Sequence, residues 1–375
     1  MLYFDHNATS PLSAAARRAW LEAHDRFVAN PASQHRLGQR ADVALEAART
    51  TLAGLLGVSA GELIWTSGAT ESANTVMAHL AATGAGSERI WVSPTEHPCV
   101  LEAARRWFPG RVEGLEVDRN GVLQTAALRV RLERERPAAV VLMAANNETG
   151  VLQPWSETAR ICREAGVPMV CDATQWLGRL PGQGLGECDY LIGSGHKCGG
   201  PVGTGFLRVP SVTASFSPLI RGGAQEEGRR AGTQNVAGAM ALVAALEDCA
   251  GRLDGVAERL EVRRRFEEEL GRLVPGALVV GGGAERLWNT VMVSLPALGD
   301  CRQRWVVRLD AAGVAASTGS ACASGNEKVS HVLEAMGVSA EVSGRTLRFS
   351  AGWETTEAEW SEVLGVIGRV RAKLG

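Results

Sequence analysis

The residues of this chain with the widest chemical reach lie in short loops that follow apolar segments. In "SGHKCGG", residues 194–200, Lys197 stands between a histidine and a cysteine, and the loop then runs into glycines. A lysine in such a loop is ordinarily a solvated side chain, but it becomes an amine able to form a Schiff base where its surroundings lower its proton affinity. One apolar segment earlier, "VPMVC" ends in "DATQ", which places Asp172 where a carboxylate either caps a turn or pairs with a cationic ring nitrogen. "TSGATES", residues 66–72, runs from an apolar segment into a helical one. There Gly68, Ala69 and Thr70 offer free amides and a hydroxyl to a phosphate, or simply make a capped strand-to-helix turn. This loop lacks the lysine of a P-loop and the glycine spacing of a dinucleotide fingerprint, so ATP and NAD are poor fits. The three loops together supply what pyridoxal phosphate requires: a phosphate turn, an acid for the ring nitrogen and an amine for the carbonyl carbon.

Other loops extend the set. His97, in "SPTEHPCV", follows an apolar segment and is either a structural hydrogen-bonding group or an imidazole stacked on the cofactor ring. "AANNETG" puts Asn146, Asn147 and Glu148 after "VVLM", where side-chain amides orient a substrate or make a turn. Cys322, in "ASTGSACASGNEK", sits among Ser, Gly and Ala, the composition of an exposed loop and so of a candidate nucleophile, a buried small residue being the alternative. Arg348, in "LRFSAG", would clamp a substrate carboxylate if a second domain folds over the first; otherwise it makes an ordinary ion pair.

The elements that must position these loops read as alternating strands and helices. "LIWTSG", "RIWVSP", "RVEGLEV", "AAVVLMAA", "VPMVCDAT" and "YLIGSGHK" are short apolar strands, with helical patterns such as "ATESANTVMAHLAATG", "PCVLEAARRWF" and "SETARICREAG" between them. Such alternation predicts a mostly parallel sheet covered on both faces, with functional loops at the carboxyl ends of its strands. Beyond "AGAMALVAALEDC" comes a long charged helix, then strands "NTVMVSL" and "LRFSAG" with short helices, the make-up of a small α/β domain that begins near residue 250.

At 375 residues, 45% hydrophobic and with a formal net charge of -2, the chain reads as an ordinary soluble protein, with no global attraction to nucleic acid or anionic lipid. The arginines around 259–265 alternate with acids and read as a solvated helix face. The amino terminus, with Asp5 and no long apolar run, predicts neither a signal peptide nor a membrane span, hence a cytoplasmic location. The eight cysteines have no paired short spacings, so neither a disulfide framework nor a metal cluster is expected.

Taken in order, "YFDHNAT", "TSGATES", "TEHPCV", "NNETGVLQP", "CDATQWLGRLP", "SGHKCGGPVGTG", "RRAGTQN", "STGSACAS" and "LRFS" resemble the cysteine desulfurases, class V pyridoxal-phosphate enzymes of the NifS/IscS-like group, over nearly the whole chain. The resemblance implies an α/β protein of the aspartate aminotransferase type (fold type I). It implies a large domain over 13–250 with a mostly parallel seven-stranded sheet. Residues 1–12 and 251–375 would form a small domain carrying the cysteine loop and the substrate arginine. It implies that Lys197 binds the cofactor covalently, His97 stacks on its ring, Asp172 pairs with the ring nitrogen and Gln175 contacts the phenolic oxygen. Ala69, Thr70, Ser194 and His196 would hold the phosphate, with Thr233 reaching it from a neighbouring subunit of a homodimer. Asn147 would lie beside cofactor and substrate, and Arg348 would receive the carboxylate of L-cysteine. Cys322 would accept the sulfur as a persulfide, for a sulfur-acceptor or iron–sulfur scaffold protein. The only metal role implied is a transient iron–sulfur contact through Cys322. A selenocysteine lyase or another class V cysteine lyase, in which Cys322 is dispensable, and a non-enzymatic sulfur-transfer scaffold are the alternatives. The chain departs from the family's usual pattern at Ala224, Gln225, Glu227, Arg229 and Trp353, positions that bear on the sulfur acceptor and on substrate preference rather than on the lysine's chemistry.

Overall fold

The computed structural model describes residues 1–84, 88–210, 216–296, 302–319 and 330–374. The expectation for Cys322 falls in 320–329, outside the described residues.

Strands β1 (Leu2–Tyr3), β2 (Leu63–Thr66), β3 (Ile90–Val92), β4 (Val112–Gly114), β5 (Val140–Val141), β6 (Met169–Asp172), β7 (Tyr190–Ser194) and β8 (Gly205–Arg208) come from the first part of the chain. Seven of them make one sheet in the order β2-β8-β7-β6-β5-β3-β4, in which β8 alone runs against its neighbours. Buried on both faces, inner strands such as β6 and β7 read as continuous apolar runs rather than alternating ones, whereas the edge strand β4 is only half-buried. The two faces still separate by residue parity. Leu63, Trp65, Met169 and Cys171 face helices α2 (Arg36–Leu56), α5 (Thr125–Leu132), α6 (Trp155–Ala165) and α7 (Val236–Ala250). Ile64 and Val170 face α3 (Ala69–Thr83) and α4 (Pro98–Trp107) on the other side. Each buried Leu, Ile or Val contributes roughly 1.5–3 kcal/mol. Helix α1 (Ala14–Arg26), capped by the Ser13 side chain, packs on α7.

A second core gathers Phe4 with residues 262–370. Here β9 (Leu278–Val279), β10 (Thr290–Ser294) and β12 (Thr346–Ser350) form an antiparallel sheet in the order β12-β10-β9, and β1 pairs with β11 (Val314–Ala315). Helix α8 (Val256–Leu273) and the helix Glu357–Leu374 cover it. The amino-terminal segment ties the two cores together. The His6 amide donates to the Ser350 carbonyl at 3.1 Å, while the Ser10 and Ser13 amides donate to the carbonyls of His196 and Gly199, each at 2.8 Å.

Trp353, unusual for the resemblance, has a structural account. Its Nε1 donates to the Gly178 carbonyl at 2.7 Å, and Trp288, its ring tilted 46° to that of Trp353 at a centroid distance of 4.4 Å, donates to the next carbonyl, that of Arg179, at 3.0 Å. Two indoles thus donate to consecutive carbonyls of one turn, and Trp353 packs against the first core. Among the described residues no helix is long and apolar enough to cross a membrane.

Candidate active site

Because β2, β3, β5, β6 and β7 share one direction, their carboxyl ends share one edge of the sheet, and loops far apart in sequence meet there. After β2, Gly68 adopts φ +149°, ψ -179°, a conformation open essentially to glycine, and α3 starts at the next residue. Gly205 of β8 lies against it so closely that a Cβ there would sit 2.6 Å from the Gly68 Cα. The first-turn amides of α3, which have no partners within the helix, and the Thr70 hydroxyl face the same edge as Ser194 and His196.

At the end of β6, Asp172 is 5% exposed, and its Oδ1 accepts from the Thr174 amide at 2.9 Å, the turn expected of an Asp at a strand end. Beside it lies a second acid, Glu96, fully buried. Its Oε1 accepts from the Met143 amide while Oε2 has no partner. Burial, reinforced by the Asp172 charge, pushes Glu96 well above the ordinary carboxyl range. Burial also lowers the two histidines of the site. His97 moves down despite Asp172, and His196 falls to about 4, helped by the Lys197 and His97 charges.

Lys197 Nζ donates to the main-chain oxygens of Asn7 at 2.7 Å and Ala8 at 2.6 Å, which places the amine at the junction of the two cores. Two cavities meet there. The larger, about 410 Å³, lies toward Arg179, Trp288 and Trp353. The smaller, about 370 Å³, is where the predicted residues converge: Ala69, Thr70, His97, Asn147, Asp172, Gln175, Ser194, His196 and Lys197 all line it. We assign the chemistry to the smaller cavity, because only it joins the lysine to the phosphate turn and the strand-end acid.

The other predicted residues stand apart from it. Arg348, 2% exposed, is engaged by Asp5 (Oδ1 at 2.7 Å) and by the carbonyls of Asn147 (2.9 Å) and Gly319 (3.2 Å). It thus reaches the cavity through Asn147. Thr233 is exposed in the loop before α7 and does not line the cavity. Sequence reading missed Glu96, Asn7 and Cys99. Asn7 is a hub: its Nδ2 donates to Thr290 Oγ1 (2.9 Å) and the Asn147 carbonyl (3.1 Å), and its own carbonyl accepts from Gln175 Nε2 (3.0 Å). Its signal was the motif "YFDHNAT"; Glu96 and Cys99 flank His97 in a motif already singled out.

The lining fits pyridoxal phosphate. Asn147 Oδ1, Thr174 Oγ1 and Gln175 Oε1 are buried polar atoms of this cavity without partners, and such atoms call for a polar ligand. The helix terminus and hydroxyls suit its phosphate, Asp172 suits a protonated ring nitrogen, and Lys197 suits an aldehyde carbon.

The aminotransferase class-V family model matches residues 2–363. A cysteine desulfurase of Gluconacetobacter diazotrophicus is 38% identical over 100% of this chain and 94% of its own length. A solved NifS-like protein superposes with a TM-score of 0.89 at 30% identity, covering 99% of both chains. The structure of SspA in complex with cysteine superposes with a TM-score of 0.80 at 28% identity, over 93% of this chain and 98% of that one. The chain belongs to the class-V aminotransferase family, among its NifS/IscS-like cysteine desulfurases. Its architecture is that of the type I pyridoxal-phosphate enzymes.

Proposed function

We propose that this protein is a pyridoxal-phosphate-dependent cysteine desulfurase that converts L-cysteine to L-alanine and delivers the sulfur through a persulfide on Cys322. The observation that carries this reading is the single cavity holding Lys197, Asp172 and the α3 amino terminus together. The bound cofactor supplies an electron sink for the substrate's α-carbon. Lys197 would anchor it covalently, and its amine would serve as the base that takes the proton from the cysteine Cα. Asp172 would pair with the ring nitrogen, and His97 would cover the ring. Ala69, Thr70, Ser194 and His196 hold the phosphate, and Gln175 meets the phenolic oxygen. Arg348 and Asn147 orient the substrate carboxylate. The Cys322 thiolate attacks the substrate sulfur, so that an S–S bond forms as the C–S bond breaks. The departing carbon gains a proton, leaving alanine and a persulfide that accounts for every atom of cysteine plus thiol.

In the same reading, residues 13–250 form the cofactor domain and residues 1–12 with 251–375 the small domain. The separate cores around the seven-stranded sheet and around Phe4 with residues 262–370 support that division. The exposure of Thr233 supports its service to a neighbouring subunit of a homodimer, and the persulfide passes to an acceptor protein of iron–sulfur or thio-cofactor synthesis in the cytoplasm.

The test compares wild type with Cys322→Ser in L-cysteine. Cofactor capture by both, with alanine and a one-sulfur mass gain on the 322 peptide in wild type alone, is the expected result. Alanine from both would replace the desulfurase reading with a lyase.

A further inference from the structure

Cys99 takes part in an arrangement around His97 that the proposed reaction does not use. Pro98 is the first residue of α4 and holds His97 extended, at φ -62° and ψ 144°, as the N-cap. The imidazole turns back over the first turn: Nδ1 lies 3.2 Å from the Cys99 main-chain nitrogen and 3.0 Å from the Cys99 Sγ. A main-chain N–H can only donate, so Nδ1 must keep its lone pair and the proton of the neutral ring resides on Nε2. The same contact decides the thiol's role. An imidazolium–thiolate pair would put a proton on Nδ1, facing the Cys99 amide proton and the positive end of α4. The thiol therefore donates and the imidazole accepts.

We propose that Cys99 is a positioning residue for His97, its amide and thiol together fixing the neutral Nε2–H tautomer and leaving Nε2 as the only ring nitrogen that exchanges a proton during turnover. The surrounding charges agree with a neutral ring. Burial, Lys197 and His331 all oppose a second charge, while Asp172 favours one. His196 is itself held neutral to about pH 4. Glu96, whose carboxyl burial pushes well above its ordinary range, flanks His97, and the Glu96 carbonyl accepts from His331 Nε2 at 2.8 Å. If the desulfurase reading on which this proposal builds is right, the neutral ring leaves the Asp172 carboxylate for the cofactor nitrogen instead of for histidine.

The experiment is nitrogen-15 NMR of the full-length, histidine-labelled protein before and after pyridoxal phosphate is added, with His97→Asn, which retains a capping side chain, to assign the signal. An unprotonated Nδ1 and a protonated Nε2 across neutral pH are expected. Cys99→Ala should raise the His97 titration midpoint by about half a unit to one unit, since it removes a donor to the neutral form. Cys99→Ser should return it toward wild type, and the acid limb of alanine formation should move in step with both. A protonated Nδ1, a thiolate absorbance lost in Cys99→Ala, or a Cys99→Ala midpoint equal to wild type would overturn the proposal. An intact tautomer without alanine formation would overturn the desulfurase reading alone.

Discussion

The side of the cavity proposed to hold the cofactor and the neighbouring residues proposed to meet the substrate are built by different means. The side proposed for the cofactor hangs on the ends of five strands of one sheet, fixed by main-chain ladders and by a glycine crossing where Gly205 has no room for a side chain and Gly68 adopts φ +149°. The substrate side hangs on side chains. Arg348 is held by Asp5, and Asn7 ties Thr290 and Asn147 across the two cores. A cradle built from main chain tolerates little movement, whereas a web of polar side chains between two cores can be loosened one bond at a time. Cofactor capture and substrate handling should therefore fail separately when the two sides are altered.

Lys197→Ala breaks the point where the sides meet and carries the largest effect. Loss of general-base catalysis alone lowers turnover by ~100- to 10,000-fold, and the cofactor absorbance should wash out on dialysis. Arg348→Ala strikes the substrate side. It leaves the Asp5 carboxylate beside a vacated, largely buried position, at a cost of about 3–5 kcal/mol read from denaturant unfolding. The double variant Asp5→Asn with Arg348→Gln removes the stranded charge and should recover much of that stability, yet cofactor binding should be kept and cysteine turnover should not. Gly205→Ala strikes the cofactor side, forcing the crossing apart at a cost of about 1–3 kcal/mol and weakening cofactor retention, with the Michaelis constant for cysteine changed least.

The smallest effect is one of pH. His6 and His196 are both held to about 4 by burial, while in the unfolded chain they titrate near 6.5. The unfolded chain then binds more protons between those values, so the stability these histidines contribute is complete above about pH 6.5 and is lost as pH falls toward 4. Glu96 acts in the opposite sense. Its raised value means that the folded chain keeps a proton the unfolded chain releases above about pH 4.3, so stability is lost as pH rises. Glu96→Gln should therefore flatten the alkaline side of a stability–pH curve and steepen the acid side. An unchanged curve would mean that Glu96 is ionised in the folded protein.

Much of the fold was legible because strands buried on both faces leave apolar runs that no surface element imitates; "VPMVC" and "YLIGS" were readable on that ground alone. Strand β8 was not, since "GFLR" follows a glycine-rich loop and is short. It forms a strand because β2 and β7 flank it, a pairing that no local pattern encodes. At the site, Thr70, Asp172 and Lys197 announced themselves by type and by position after a strand. Glu96 and Asn7 did not, because a buried acid and a hub asparagine look like ordinary polar residues until burial and partners are known.

The sequence by itself determined which groups are available for chemistry and which elements carry them, since side-chain type and hydrophobic period are local properties. Only the tertiary structure decided which groups share a cavity and that burial pushes Glu96 up and His97 and His196 down. Those depend on distances between residues far apart in the chain and on the water that folding excludes.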